Sequence, residues 1–562
     1  MRTLRGIGAA PGTAVGRAAV RRGEELDLDQ RCSPSGAALD GAAVDAALDS
    51  VAAGFDAAAH QAAGDAADIL RAQAALARDR ALRSAAVQRW RDGEAPARAV
   101  VGAAEDFAAR LAGTGNAYLA ARAPDLRHIG AAAARAVLGL PPEAPAAPPP
   151  GSVLVADDIA PAEAAGLAAR AVVAVVMAGG GPTSHTAIVA RGLGIPAVMG
   201  VPHLLEAVGD GALLAVDGDT GEVYVDPDDA TTARLAEAGF ARLAARERAR
   251  ADAGVGPSAT ADGHRVEVAA NIRSIEELRA GLAEGAEAVG LLRTELLYID
   301  RPAPPTEAEQ AAALAAMRAL LGPRRLIVRT FDIGSDKPVP FLPARPETNP
   351  ELGLRGIRLA RAHPELIDAQ LAAVATAADD GPVGVMAPMV ANLDEVDWFA
   401  ERAAKAAAGR RMEIGVMVEV PSAVLLATEI AERVDFVSIG TNDLSQYLHA
   451  ADRRQPELAP LNDPFDPALL RAVDMVGRAA AGRCWVGVCG EAAGRPAWAV
   501  IAVGLGVTEL SMQAAQIVPV RAALRAVTLD ECRTLAARVC RMADAGSVRA
   551  AAEDLLAERS SR

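Results

Sequence analysis

Residues 413–442, EIGVMVEVPSAVLLATEIAERVDFVSIGTN, decide how the rest of the chain is read. An apolar run, EIGVMVEV (413–420), gives way to a helical pattern and then to a second apolar run, FVSIGTN (436–442). The alternation extends both ways. VEVAANI (266–272), AVGLLRT (288–294), LIVRTF (326–331) and VGVMAPMV (383–390) precede it, and WVGVCG (485–490) and TELSMQ (508–513) follow. Eight strand-like runs alternating with helices over roughly 250 residues predict a (β/α)8 TIM barrel within 261–562.

Upstream the pattern changes. Residues 1–24 begin with a short strand segment around a Pro11–Gly12 turn. Residues 25–140 are rich in Ala, with Leu, Arg, Asp and Glu and few β-branched residues, which predicts an all-α helical domain. PPEAPAAPPPG (141–151) reads as a proline-rich spacer. Short β-like runs then fill 152–226, among them ALLAVDGDTGEVYVD (212–226), where GDTG between apolar stretches signals a hairpin. Residues 227–260 read as a linker helix. The fold class is therefore multidomain α/β, with the helical domain inserted into an α/β domain made of 1–24 plus 141–226.

Composition narrows the function. The 562 residues are 51% hydrophobic and 23% charged, enough for packed cores, and carry a net charge of −15. An acidic chain with 3% aromatics is a poor partner for nucleic acid, which needs basic surfaces and stacking platforms, although a few buried arginines still suit a small anion. The five cysteines (Cys32, Cys484, Cys489, Cys532, Cys540) form no CxxC pair. Reduced thiols in a cytoplasmic protein are expected rather than a disulfide framework or structural zinc. The opening MRTLRGIGAAPG lacks an apolar run, so no secretory signal is expected. The longest uncharged stretch, Ala171–Ala190, contains GGGPTSH, so no membrane insertion is expected either.

A barrel concentrates its chemistry at the C-terminal ends of its strands. Those ends read Asn271, Arg293, Arg329, Met389, Glu419, Asn442 with Asp443, Cys489 and Ser511. Arg293 and Arg329 each close an apolar run and precede Thr; guanidinium forks match phosphate or carboxylate oxygens. Arg453 is a third candidate, and Arg355 a fourth that reads equally well as a helix-face arginine. Glu419 and Asp443 are hard oxygen ligands suited to Mg2+, or else an acid/base pair. Cys489, flanked by glycine in GVCGE, can move a proton or attack an electrophile. His185 stands apart in MAGGGPTSHTAIVARGLGIPAVMG. Glycines let the chain turn, Thr183 or Ser184 can cap a helix, and the histidine falls in the first helical turn, where an anion is favoured. A histidine in that place makes sense if its imidazole becomes phosphorylated.

Together these segments resemble the phosphoenolpyruvate-utilising enzymes. GGGPTSHTAIVAR is similar to their phosphohistidine signature, and GLLRTELLYIDR, IVRTFDIGSDK, EIGVMVEVP, SIGTNDLSQY and GVCGE follow their barrel motifs in order. Within that group the order of domains is most similar to Enzyme I of the phosphoenolpyruvate:sugar phosphotransferase system, over nearly the entire chain. The resemblance implies a phosphotransferase that moves the phosphoryl group of phosphoenolpyruvate to His185 and on to the phosphocarrier protein HPr, releasing pyruvate. It implies that Arg293, Arg329, Asn442, Asp443 and Arg453 bind substrate, that Glu419 and Asp443 hold Mg2+, and that Cys489 donates a proton. It further implies that 1–24 plus 141–226 form a swivelling phosphohistidine domain, that 25–140 dock HPr, and that 261–562 form a homodimer. Ala160, in DDIAPAE, departs from the Thr expected there, a departure bearing on how His185 is positioned. Phosphoenolpyruvate synthase or pyruvate phosphate dikinase is the alternative enzyme, but no P-loop is present. A non-catalytic phosphoenolpyruvate sensor would have little use for the full set of His185, arginines, carboxylates and Cys489.

Overall fold

A computed structural model describes the chain except at residues 23–25, 31–39, 62–69, 71–72, 113–122, 142–147, 160–171, 182–183, 254–255, 296–300, 302, 336–338, 343–346, 454 and 561–562. Ala160, Thr183 and most of the proline-rich spacer thus lie outside the described residues. The chain divides into two compact units, Met1–Ala245 and Arg246–Arg562, the division falling inside the helix Asp229–Ala253.

The first unit holds a mixed sheet in the order β1 (Arg2–Arg5), β8 (Glu222–Val225), β7 (Leu213–Asp217), β3 (Thr13–Val20), β4 (Ser152–Ala156), β5 (Ala174–Met177), β6 (Ala197–Met199) and β2 (Ile7–Ala10). The neighbours from β3 to β6 run parallel, and the flanking pairs antiparallel. The expected hairpin is β7–β8, closed by Asp217 opposite Glu222. Strand alternation sends Val153, Val155, Val176 and Val216 to one apolar layer and Leu154, Val175, Met177 and Met199 to the other. Between β3 and β4 the chain leaves the sheet for α1 (Gly41–Gln61), α2 (Arg80–Arg91), α3 (Pro96–Ala112) and α4 (Ala123–Val137). Their shared core is largely alanine, with Val44, Leu48, Leu82, Val100 and Ile129. Small side chains bring α3 and α4 close: a β-carbon added at Gly130 would stand 2.6 Å from that of Ala104.

The second unit is a closed parallel barrel in the order β9 (Glu267–Ile272), β10 (Ala288–Arg293), β11 (Leu326–Arg329), β12 (Val383–Ala387), β13 (Met412–Val418), β14 (Phe436–Ile439), β15 (Trp485–Val488) and β16 (Glu509–Met512). The expected TIM barrel is present, each strand coinciding with one of the eight apolar runs. Outward-facing Val, Leu and Ala join the surrounding helices in one large core. The barrel interior is filled by Leu291, Ile327, Met386, Met417, Phe436 and Cys489. Phe436 stacks on Trp485 with centroids 4.4 Å apart. Glycines make room for them: a β-carbon at Gly415 would stand 2.5 Å from the Phe436 ring. Gly415→Ala should therefore cost ~1–3 kcal/mol through overpacking. The check is the midpoint of denaturant unfolding of the full chain followed by tryptophan fluorescence; an unchanged midpoint would mean that the ring moves aside freely.

Candidate active site

The mouth of the barrel gathers charge because strand ends bring arginines and acids together, several of them buried. Arg355 is the hub, only 1% exposed. Its guanidinium donates to Asp332 through Nε (3.2 Å) and Nη2 (2.8 Å), to Glu351, and to Asp443 Oδ1 at 3.4 Å. Asp443 Oδ2 in turn accepts from Arg453 at 3.3 Å. Arg329 at the end of β11 pairs with Glu295 and, at 3.3 Å, with Asp332. Burial works against the charge of Arg329, but Glu295 and Asp332 outweigh it and hold the guanidinium above its ordinary pKa. The same balance, with Asp443 and Glu351 as partners, raises Arg453.

Arg293 differs. It ends β10 half-buried, and its guanidinium has no hydrogen bond or ion pair among the described residues. Burial, reinforced by the neighbouring Arg329, lowers its pKa. A desolvated guanidinium without a protein partner gains most from an incoming anion. Asn442 and Asp443 lie in the first turn of the helix Thr441–His449, which follows β14. Asn442 Oδ1 accepts from the backbone N–H of Glu491 at 3.1 Å, which ties this loop to the one after β15.

Glu419 follows β13 and is 1% exposed. Its Oε1 accepts from the backbone N–H of Met389 at 2.6 Å, while Oε2 borders the open side of Gly440. Burial, the charges of Asp443 and Asp332, and only partial relief from Arg329 and Arg355 push its pKa up to about 7. A buried carboxylate facing a second acid is what a hard divalent cation would relieve, and all-oxygen donors suit Mg2+ better than zinc or copper. Among the described residues no cluster of three or more His, Cys, Asp or Glu is set to hold a metal. Cys489 is 2% exposed at the end of β15. Burial, opposed slightly by the Ser438 hydroxyl, pushes its thiol up to about 12, so it rests protonated. Asn271 donates to the carbonyl oxygens of Cys489 (3.0 Å) and Ser511 (3.2 Å), fixing the rim on which the thiol sits.

His185 belongs to the other unit and opens the helix α5 (His185–Leu193). Ser184, in extended conformation, caps it by accepting from the N–H of Ala187 at 3.4 Å. Gly194 ends it in the left-handed region at φ 70°. Ala187 and Ala190 seat the helix on the sheet, and Arg191 donates to the carbonyl of Ala9 at 2.6 Å.

The structure thus brings Arg293, Arg329, Glu419, Asn442, Asp443, Arg453 and Cys489 to one end of the barrel, with His185 on the other compact unit. The reading of Arg355 as a helix-face residue is superseded: it lies at the centre of the network. Glu295, Asp332 and Glu351 went unnoticed in the sequence. Two of them could have been found, since each strand-end arginine is followed two or three residues later by an acid, in RTE (293–295) and RTFD (329–332).

A raised carboxyl pKa has a definite consequence for stability. Between the ordinary glutamate value of 4.5 and about 7, the folded protein holds a proton on Glu419 that the unfolded chain has lost. Stability from this group is therefore full below the lower value and falls as pH rises toward the upper one. Glu419→Gln should flatten that slope in denaturant unfolding between pH 5 and 7. An identical slope in the variant would show that Glu419 does not carry the proton.

Comparison with known proteins agrees with this architecture. Residues 5–122, 148–221 and 247–529 match the N-terminal, mobile and phosphoenolpyruvate-binding domains of the PEP-utilising enzymes. A phosphoenolpyruvate-protein phosphotransferase of Streptomyces coelicolor is 41% identical over 99% of both chains. One from Haloferax volcanii is 42% identical over 70% of both chains. A multiphosphoryl transfer protein of Rhodobacter capsulatus is 43% identical over 79% of this chain and 54% of its own length. The chain belongs to the phosphoenolpyruvate-utilising enzymes and, within them, to the phosphoenolpyruvate-protein phosphotransferases.

Proposed function

We propose that this phosphotransferase takes the phosphoryl group of phosphoenolpyruvate onto His185 and passes it to the phosphocarrier protein HPr, as the first step of a sugar-uptake relay. The observation that carries the reading is the guanidinium of Arg293, without a partner among the described residues, beside the carboxylate-held Arg329: one cation open to an anionic substrate, next to another already fixed in place. Phosphoryl transfer depends mostly on positioning and charge neutralisation. In this reading Arg293, Arg329 and Arg453 hold the phosphate and carboxylate of the substrate, with Asn442 and Asp443 completing the cradle. Nε2 of His185 attacks phosphorus in line as the bond to the enol oxygen breaks. The thiol of Cys489, protonated at rest, then gives its proton to the enolate carbon and pyruvate forms. Mg2+, when held by Glu419 and Asp443, would neutralise substrate oxygens.

Because His185 and the barrel cluster sit on separate compact units, the reading includes a swivel of the histidine-bearing domain (1–24 plus 141–226), with 141–151 and 227–260 as hinges. The helices within 25–140 receive HPr, 261–562 carry a homodimer contact, and the enzyme works in the cytoplasm. Among the described residues no helix is long and apolar enough to cross a membrane.

Incubation with phosphoenolpyruvate labelled in the phosphate should label the wild-type chain and leave His185→Ala unlabelled; equal labelling of the variant overturns the assignment. Cys489→Ala should lower pyruvate formation ~10²–10⁴-fold, the usual contribution of a positioned proton donor. A crosslink pinning the histidine-bearing domain to the barrel should abolish one half-reaction; retention of both would exclude the swivel.

A further inference from the structure

Beneath Cys489, on the inner wall of the barrel, lies a carboxyl group that the mechanism above leaves unused. Strands β15 and β16 pair so that Gly487 stands opposite Glu509 and Val488 opposite Leu510. Alternation then places Gly487, Cys489 and Glu509 on the same inner face. Glu509 and Cys489 are diagonal neighbours, one strand and one two-residue step apart, which sets their α-carbons roughly 8 Å from each other.

The seat of Glu509 is made by two glycines. A β-carbon on Gly290 would collide with its Oε1, and one on Gly487 with its Oε2. The residue is 2% exposed, and its buried Oε1 has no hydrogen-bond partner among the described residues. The charged groups that face it are Glu267 from β9, Arg325 at the foot of β11, and Cys489 itself from β15. Arg325 gives it only partial relief. That guanidinium already pairs with Glu267 and, at 3.5 Å, with Glu413, and lies over the Trp485 ring with 4.0 Å to the centroid. A buried carboxylate without donors is strongly disfavoured, so the group keeps its proton at neutral pH. Burial, partly offset by Arg325 and then reinforced by Glu267, pushes it up to about 8.

We propose that Glu509 is a positioning residue for proton delivery: as a neutral acid it lets Cys489 release its proton, and as a carboxylate it holds that proton back. The inference rests on the reading of Cys489 as proton donor. In the step concerned the S–H bond of Cys489 breaks, a C–H bond of pyruvate forms, and the thiolate takes a proton from water at the barrel mouth once pyruvate has left. A carboxylate at this separation in a medium of intermediate dielectric raises the thiol by about one pH unit or somewhat more. Pyruvate formation should therefore decline roughly tenfold as Glu509 ionises.

The test is the pH profile of pyruvate formation from saturating phosphoenolpyruvate by the full chain between pH 6.5 and 9.5. Wild type should show a decline above about pH 8, taken from the ionisation of Glu509. Glu509→Gln should lack that decline and Glu509→Asp, still titratable, should keep one. Glu509→Met, similar in length and never charged, replaces the glutamine variant if the latter does not fold. An alkaline decline unchanged in the uncharged variant, or lost in Glu509→Asp, overturns the proposal. Cys489→Ala separates the two claims: if it forms pyruvate at the wild-type rate, the reading of Cys489 has failed. If Cys489→Ala is slow while the uncharged Glu509 variant keeps the wild-type profile, it is the role of Glu509 that fails.

Discussion

The ion pairs of Arg355 hold the barrel mouth together. A guanidinium removed from water stays charged only if carboxylates surround it, and this one is met by Asp332, Glu351 and Asp443. Those contacts reach from the loop after β11 to the helix after β14, and so join elements that strand pairing alone would leave independent. Two of these carboxylates also have a second obligation. Asp332 steadies Arg329, and Asp443 steadies Arg453. Tyr447 adds a neutral strut by donating to the carbonyl of Glu351 at 2.5 Å. Removing one member of a buried network strands the others in low dielectric, which is why such sites are rigid before substrate arrives.

Within that network charges are matched unevenly. Arg329 and Arg453 are paired with protein carboxylates, Arg293 has no such pair among the described residues, and Glu419 has a backbone donor but faces other acids. An anion at Arg293 and a cation at Glu419 would each correct a local imbalance. Binding energy for a charged substrate is thereby stored as an incomplete pairing rather than as a preformed ion pair that would have to be broken.

The barrel was legible because its strands are continuous apolar runs of fixed spacing, and a closed parallel sheet demands such runs. The helical insertion was legible from composition. The strand-end candidates followed once the barrel was recognised, since position along a strand determines which end a residue occupies. Arg355, Glu295 and Asp332 were harder. Their importance comes from burial and mutual contact, and nothing in a linear pattern such as ELGLRGIR (351–358) distinguishes an arginine turned inward from one on a solvated helix face. Glu509 was invisible for a related reason. In TELSMQ it reads as the polar start of a strand, and only the absent side chains of Gly290 and Gly487, distant in sequence, create the space it fills.

The close approach of α3 and α4 at Gly130 and Ala104 has a price of its own. Alanine permits short interaxial distances but removes little apolar surface from water per residue, and free energy from burial scales with that surface at ~25 cal/mol per Å². A bundle built this way has a narrower margin against local opening than a barrel lined with valine, leucine and phenylalanine. Heat or mild denaturant would therefore loosen the N-terminal helices while the parallel strands stay closed, giving one polypeptide two melting behaviours.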